Sequence, residues 1–152
     1  MSDQNINSQT APYGAFLLRV SLGVMFIAHG LILKYFTFTL GGTAQYFESI
    51  GYPGFLAYAV FAAETLGGIA LVLGFQTRLV AFALIPVLIG AMLEHTGNGW
   101  VFSAEGGGWE YPLFLIVASV TVGLLGGGAF ALTKREVPLP VLPGGNGSLA
   151  TR

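Results

Sequence analysis

Four long apolar runs joined by short connections constrain this chain more than any other feature. They cover about Tyr13–Phe36, Phe55–Phe75, Leu79–Leu93 and Tyr111–Leu132. A helix needs about 20 apolar residues to cross a bilayer, and a helix satisfies its own backbone polar groups where no water can. One such run suits the buried helix of a water-soluble domain. Four do not, because only 9% of the 152 residues are then left charged and 54% are hydrophobic. An ordinary soluble domain carries about 25% charged residues. The reading is all-α: a transmembrane four-helix bundle over residues 13–132, a polar N-terminal segment over 1–12, and a disordered cytoplasmic tail over 133–152.

Composition also excludes function classes. Six Lys+Arg against seven Asp+Glu give a net charge of −1, so there is no basic patch for nucleic acid. Cysteine is absent, which removes disulfides, Cys-based zinc sites, iron–sulfur ligation and dithiol relays. Any redox role must move electrons on something other than the chain's own thiols. No Walker loop, nucleophile elbow or His-Glu-x-x-His motif occurs, and no cofactor motif is detectable. Gly126-Gly127-Gly128 reads as a weakened helix exit, not a phosphate cradle.

The connections are legible. Gln76-Thr77-Arg78 is a tight turn between spans two and three. Between spans one and two, Thr43 is placed as an N-cap, Gly51 as the glycine after the helix, and Pro53 blocks continuation. Tyr46, Phe47 and Ile50 share a face, which predicts a short interfacial helix there. The most polar loop, Glu94 to Glu110, joins spans three and four. The first run reads as a span and not as a cleaved signal, since Met1–Pro12 has no positive charge and the run is too long. Arg19, Arg78, Lys134, Arg135 and Arg152 fall on one side of the bundle and Lys34 alone on the other. Lys/Arg asymmetry then puts both termini in the cytoplasm.

Ionisable groups inside a span cost roughly 2.5–3.5 kcal/mol each on insertion scales, so they require a partner or a purpose. Arg19 lies about six residues into span one, where it either snorkels to the interface or contacts a substrate. His29 lies roughly 24 Å from the cytoplasmic end and Glu64 roughly 21 Å from it. Antiparallel helices bring the two to one height, so His29 and Glu64 are expected to pair, as structural glue or as a proton-handling site. Glu64-x-x-Gly67-Gly68 puts the carboxylate and both glycines on one face, directed at a neighbouring helix. Outside, Glu94, His95, Asn98, Trp109 and Glu110 are candidates for a polar, substrate-binding mouth, and Trp100, Trp109 and Tyr111 for an aromatic belt. A metal needs three or four His or carboxylate ligands. The spacing does not demand one, so no metal is assigned.

Several of these residues resemble the DoxX family of small four-span bacterial membrane proteins. The resemblance rests on Leu17-Leu18-Arg19, Ala28-His29-Gly30, Glu64-x-x-Gly67-Gly68, Thr77-Arg78, His95-x-x-Asn98-Gly99-Trp100 and Gly107-Gly108-Trp109-Glu110-Tyr111-Pro112. It covers about Tyr13 to Leu132. One departure is visible: the commoner pattern has a lysine four residues after the histidine, and here Lys34 is five after His29. On an α-helix that turns it about 100° away, which argues against a direct part for Lys34. The resemblance implies a bacterial plasma-membrane location and a link to quinone or thiol redox, often as a subunit beside a redox enzyme.

The expected function is a quinone- or thiol-redox-linked membrane subunit, with His29 and Glu64 as a proton-handling pair and quinone as a substrate. If it is an enzyme, it is the membrane part of an oxidoreductase. The expected partners are the bilayer, a redox-enzyme subunit, and further copies of this or another chain. A proton-coupled small-molecule transporter and a non-catalytic assembly protein are the alternatives. The absence of cysteine makes the topology directly testable. A cysteine placed at Ser103 should react with a membrane-impermeant maleimide in intact cells, and one at Ser148 should not. The opposite labelling pattern reverses the orientation.

Overall fold

The structure, a computed structural model, describes residues 3–134, 136 and 138. Helix α1 (Asp3–Ile27) runs without a break into a ten-residue π-helical segment, Ala28–Thr37. Then come α2 (Leu40–Ser49), α3 (Phe55–Leu73), α4 (Thr77–His95) and α5 (Glu110–Leu125). No strand occurs among the described residues. Three helical stretches are long and apolar enough to cross a membrane: Gln9–Thr37, Phe55–Leu73 and Thr77–Asn98. The fourth, α5, is apolar but shorter.

The long helices form an up-and-down bundle. α1 packs chiefly on α3, α3 on α4, α4 on α5, and α5 closes back onto α1. Short connections force this order, because sequential helices must lie antiparallel and adjacent. The core takes Leu22 and Phe26 from α1, Leu71 from α3, Leu84 and Leu88 from α4, and Val122 from α5. The outward faces are apolar too, with Leu17, Leu66, Leu79 and Phe114 exposed. A helix hydrophobic all round belongs in lipid or a core.

The interfacial helix is present as α2, with one correction at its start. The N-cap is Thr39, whose Oγ1 accepts from the Gly42 N–H at 3.1 Å. Thr43, the expected cap, sits one turn in, and its hydroxyl donates to the carbonyls of Thr39 and Lys34. The α2 C-terminus is as read: Gly51 has φ +88°, and the Tyr52 and Gly51 N–H groups return to the carbonyls of Phe47 and Glu48. This is the paired-bond helix end that a left-handed glycine permits.

Two boundaries move. α1 starts at Asp3, ahead of the apolar run. α5 stops at Leu125, short of the expected Leu132, because Gly126 and Gly128 take φ +82° and +64°. From there the chain leaves the helix and crosses the bundle end. The Ala129 N–H bonds the Pro12 carbonyl at 2.8 Å, and the Leu132 and Thr133 N–H groups bond Leu73 and Gly74. The beginning of the expected tail is thus fixed: Thr133 Oγ1 accepts from the Gln76 N–H, and Glu136 accepts from the Arg78 and Gly127 N–H groups. Arg135, Val137 and residues 139–152, where disorder is expected, lie outside the described residues.

The α1–α3 contact depends on two facing glycines. A Cβ at Gly68 would sit 2.7 Å from the Gly23 carbonyl oxygen, and one at Gly23 would sit 2.8 Å from that of Gly68. Nothing lies within 4 Å of a Cβ at Gly90. Gly68→Ala should therefore lower the melting temperature in detergent, with an overpacking cost of about 1–3 kcal/mol. Gly90→Ala should hold or raise it, since alanine favours a helix over glycine by about 1 kcal/mol. Equal behaviour of the two variants in a thermal unfolding assay refutes the close α1–α3 contact.

Candidate functional site

Arg19 neither snorkels nor faces a ligand. It is fully buried. Its Nε donates to the Gly127 carbonyl at 2.8 Å, Nη1 donates to the Leu71 carbonyl and to that of Val72 at 2.7 Å, and Nη2 donates to Ala129 at 3.2 Å. The guanidinium also lies over the Phe16 ring, 5.3 Å from its centroid. Leu71 and Val72 close α3, where the helix dipole is negative; the Leu71 carbonyl also accepts from the Gly74 N–H at 3.0 Å, so Arg19 adds to the helix cap there. The substrate-binding expectation for Arg19 is corrected to a structural one, because its donors are taken up by main-chain carbonyls.

The expected His29–Glu64 pair is also corrected. Glu64 Oε2 is bonded to Lys34 Nζ at 2.6 Å. The height match holds, since Gly30, next to His29, lies against Glu64 and Thr65 of α3. Gly30 is the residue packed on α3, and the His29 ring stacks on Tyr111 of α5, within electrostatic reach of Glu64 but with no hydrogen bond to it among the described residues. The five-residue spacing between His29 and Lys34 is accommodated by the π-helix, whose contacts run i to i+5 in place of i to i+4. Lys34 Nζ accordingly also reaches the His29 carbonyl, at 3.5 Å. The side chains of Lys34 and Glu64 are 17% and 8% exposed, so each charge depends on the other.

His29 opens into a different space. Its Nδ1 bonds the Met25 carbonyl at 2.8 Å one turn back, and its ring stacks on Tyr111 at 5.8 Å and 28°. Together they line a cleft of about 880 Å³ between α1 and α5. Met25, Leu113, Phe114 and Val117 make its apolar walls, and Trp100, Phe102 and Glu110 come from the loop side. The Tyr111 hydroxyl is buried with no hydrogen-bond partner among the described residues. Tyr111 and Trp100 are read from sequence only as interfacial aromatics. Their part in the cleft is missed because nothing in their spacing points across to His29.

The other expected mouth residues divide. Glu110 lines the cleft, and its Oε1 accepts from the Phe102 N–H at 3.1 Å. Trp109 stacks edge-on against Trp100, 4.5 Å between centroids, and so supports the cleft without lining it. Asn98 donates from Nδ2 to the carbonyls of Gly106 and Gly107, both at 3.0 Å, closing the loop on itself. His95 lies beside Gly107, with its Nδ1 buried and unpartnered among the described residues. Glu94 neighbours Tyr46 of the interfacial helix: partial burial pushes the Tyr46 phenol above its ordinary range, and the Glu94 carboxylate adds to the shift. The structure thus gathers His29, Tyr111 and Glu110 at the cleft, holds Arg19 and Asn98 in main-chain contacts, and pairs Glu64 with Lys34, within electrostatic reach of His29.

The DoxX profile matches residues 14–97. The chain is similar to a Bacillus subtilis protein named "Putative oxidoreductase CatD", with 35% identity over 78% of this chain and 84% of that one. It is also similar to the inner membrane protein YqjF of Escherichia coli, with 36% identity over 55% of this chain and 62% of the relative. An uncharacterized protein of Haemophilus influenzae is 32% identical over 82% and 91% of the two chains. No solved structure matches.

The Lys34–Glu64 geometry predicts strong coupling. Lys34→Met leaves a buried carboxylate unpaired and should cost about 3–5 kcal/mol. Combining it with Glu64→Met removes the orphaned charge and should restore much of that loss. Unfolding in detergent measures both; losses that simply add refute the pair.

Proposed function

This chain belongs to the DoxX family, and from that premise we propose that it is a redox-linked membrane subunit. It binds a quinone-type ring in the α1–α5 cleft, and His29 exchanges protons with that ring. The observation that carries this reading is the cleft: apolar walls on a membrane helix pair, with His29, Tyr111 and Glu110 among the residues that line it. Its volume of about 880 Å³ lies within the roughly 300–1,000 Å³ of ligand sites, which are mostly apolar with a few placed polar groups. Interconversion of quinone and quinol takes up or releases protons, so a positioned acid–base group is what the chemistry requires. The word oxidoreductase in a relative's name supports the reading. Electrons pass between the ring and a partner redox protein, since the chain contains no thiol. In this reading Glu64 anchors Lys34, and the protonic role rests on His29. Both termini lie in the cytoplasm, which puts the cleft toward the outer half of the membrane.

Two tryptophans are present in the chain, and they stack on each other at the cleft. Titrating a short-tailed quinol such as decylubiquinol, held anaerobic, into the purified protein in nanodiscs should quench their fluorescence saturably. His29→Ala should weaken that binding about tenfold, the loss expected for one hydrogen bond in a desolvated site. Quenching that never saturates, or that is the same in His29→Ala, counts against the reading.

A further inference from the structure

We infer that the cleft binds the reduced, hydroxyl-bearing form of its ring in preference to the oxidised, carbonyl form. This rests on the cleft being the ring site, as proposed above, and adds which redox form it takes. Hydrogen-bond polarity at the cleft sets the preference. His29 Nδ1 faces the Met25 carbonyl oxygen at 2.8 Å, and a carbonyl only accepts. The proton of the uncharged imidazole is therefore on Nδ1, and Nε2 carries the lone pair. Nε2 has no hydrogen-bond partner among the described residues, and the ring lines the cleft. What His29 offers a ligand is thus an acceptor.

Glu110 offers another. One carboxylate oxygen accepts from the Phe102 N–H at 3.1 Å, which holds the group at the cleft while the other oxygen keeps its lone pairs. Tyr111 adds a hydroxyl that can donate or accept, buried and unpartnered among the described residues. The polar set is therefore two acceptors and one adaptable group. A quinone presents only carbonyl acceptors, and at His29 or Glu110 these would set lone pair against lone pair. A quinol presents two hydroxyl donors, and each acceptor gains a bond. The apolar and aromatic walls, Trp100 and Phe114 among them, do not distinguish two flat rings of nearly the same size. Discrimination falls to the polar groups, and sites built on hydrogen bonds discriminate strongly against ligands that leave those groups unpaired.

The test compares decylubiquinol and decylubiquinone by anaerobic calorimetric titration into the protein in nanodiscs. The quinol should bind on the order of tenfold tighter. His29→Gln should bring the ratio toward one while binding persists, because an amide can turn either its N–H or its oxygen to the ligand. Glu110→Gln should reduce the ratio in the same way, and it carries the test if His29→Gln does not fold. Equal affinity for both forms in the wild-type protein, or tighter binding of the quinone, overturns the inference while leaving the cleft as the ring site. So does a quinol preference that survives both substitutions. Binding of neither form removes the site itself, and the inference with it.

Discussion

A single buried guanidinium holds one end of this bundle together. Arg19 rises from α1 and bonds the carbonyls of Leu71 and Val72 at the end of α3, and of Gly127 and Ala129 beyond α5. In a bilayer, unsatisfied backbone carbonyls cost several kcal/mol each. One cation that satisfies several allows α3 to turn sharply and α5 to end early. The consequences reach the other end. With α1, α3 and α5 fixed relative to one another near Arg19, the close Gly23–Gly68 approach follows, and α1 meets α3 along one face and α5 along another.

That division of α1 between two neighbours gives the two polar groups of the membrane interior different direct partners. Gly30 faces α3 and leaves room for the Lys34–Glu64 pair, while His29 faces α5 and the cleft. The π-helical segment makes both possible at once. Its wider turn lets Lys34, five residues after His29, come back over the preceding turn to reach Glu64. π-Segments are uncommon and concentrate at functional sites, and this one connects an ion pair on one face to an imidazole on the other.

Much of the architecture is legible in the sequence, and the reasons differ from residue to residue. The spans are readable because four apolar runs of bilayer length suit a membrane and little else. The end of α2 is readable because Gly51 followed by Pro53 has a mechanical meaning. The end of α5 is misplaced because the apolar pattern continues past Leu125 while three glycines stop the helix. The role of Arg19 is hidden because its partners are main-chain carbonyls, which leave no mark in a sequence. The Lys34 contact is hidden for a related reason: helical-wheel arithmetic assumes 3.6 residues per turn, and the segment that matters does not obey it. The depth of His29 and Glu64 is within reach of counting; their faces are not.

The shortness of α5 has a consequence for the lipid around it. Its 16 residues rise about 24 Å at 1.5 Å each, less than the roughly 30 Å hydrocarbon thickness of a typical bilayer. A span too short for its membrane draws the headgroups inward. α5 is also one wall of the cleft, so thinning of the bilayer to match it would fall where the cleft opens. Such thinning would bring water and headgroups toward Glu110 and Tyr111, while the apolar walls would still face acyl chains. An amphiphile with a polar ring and a greasy tail would meet both environments at once.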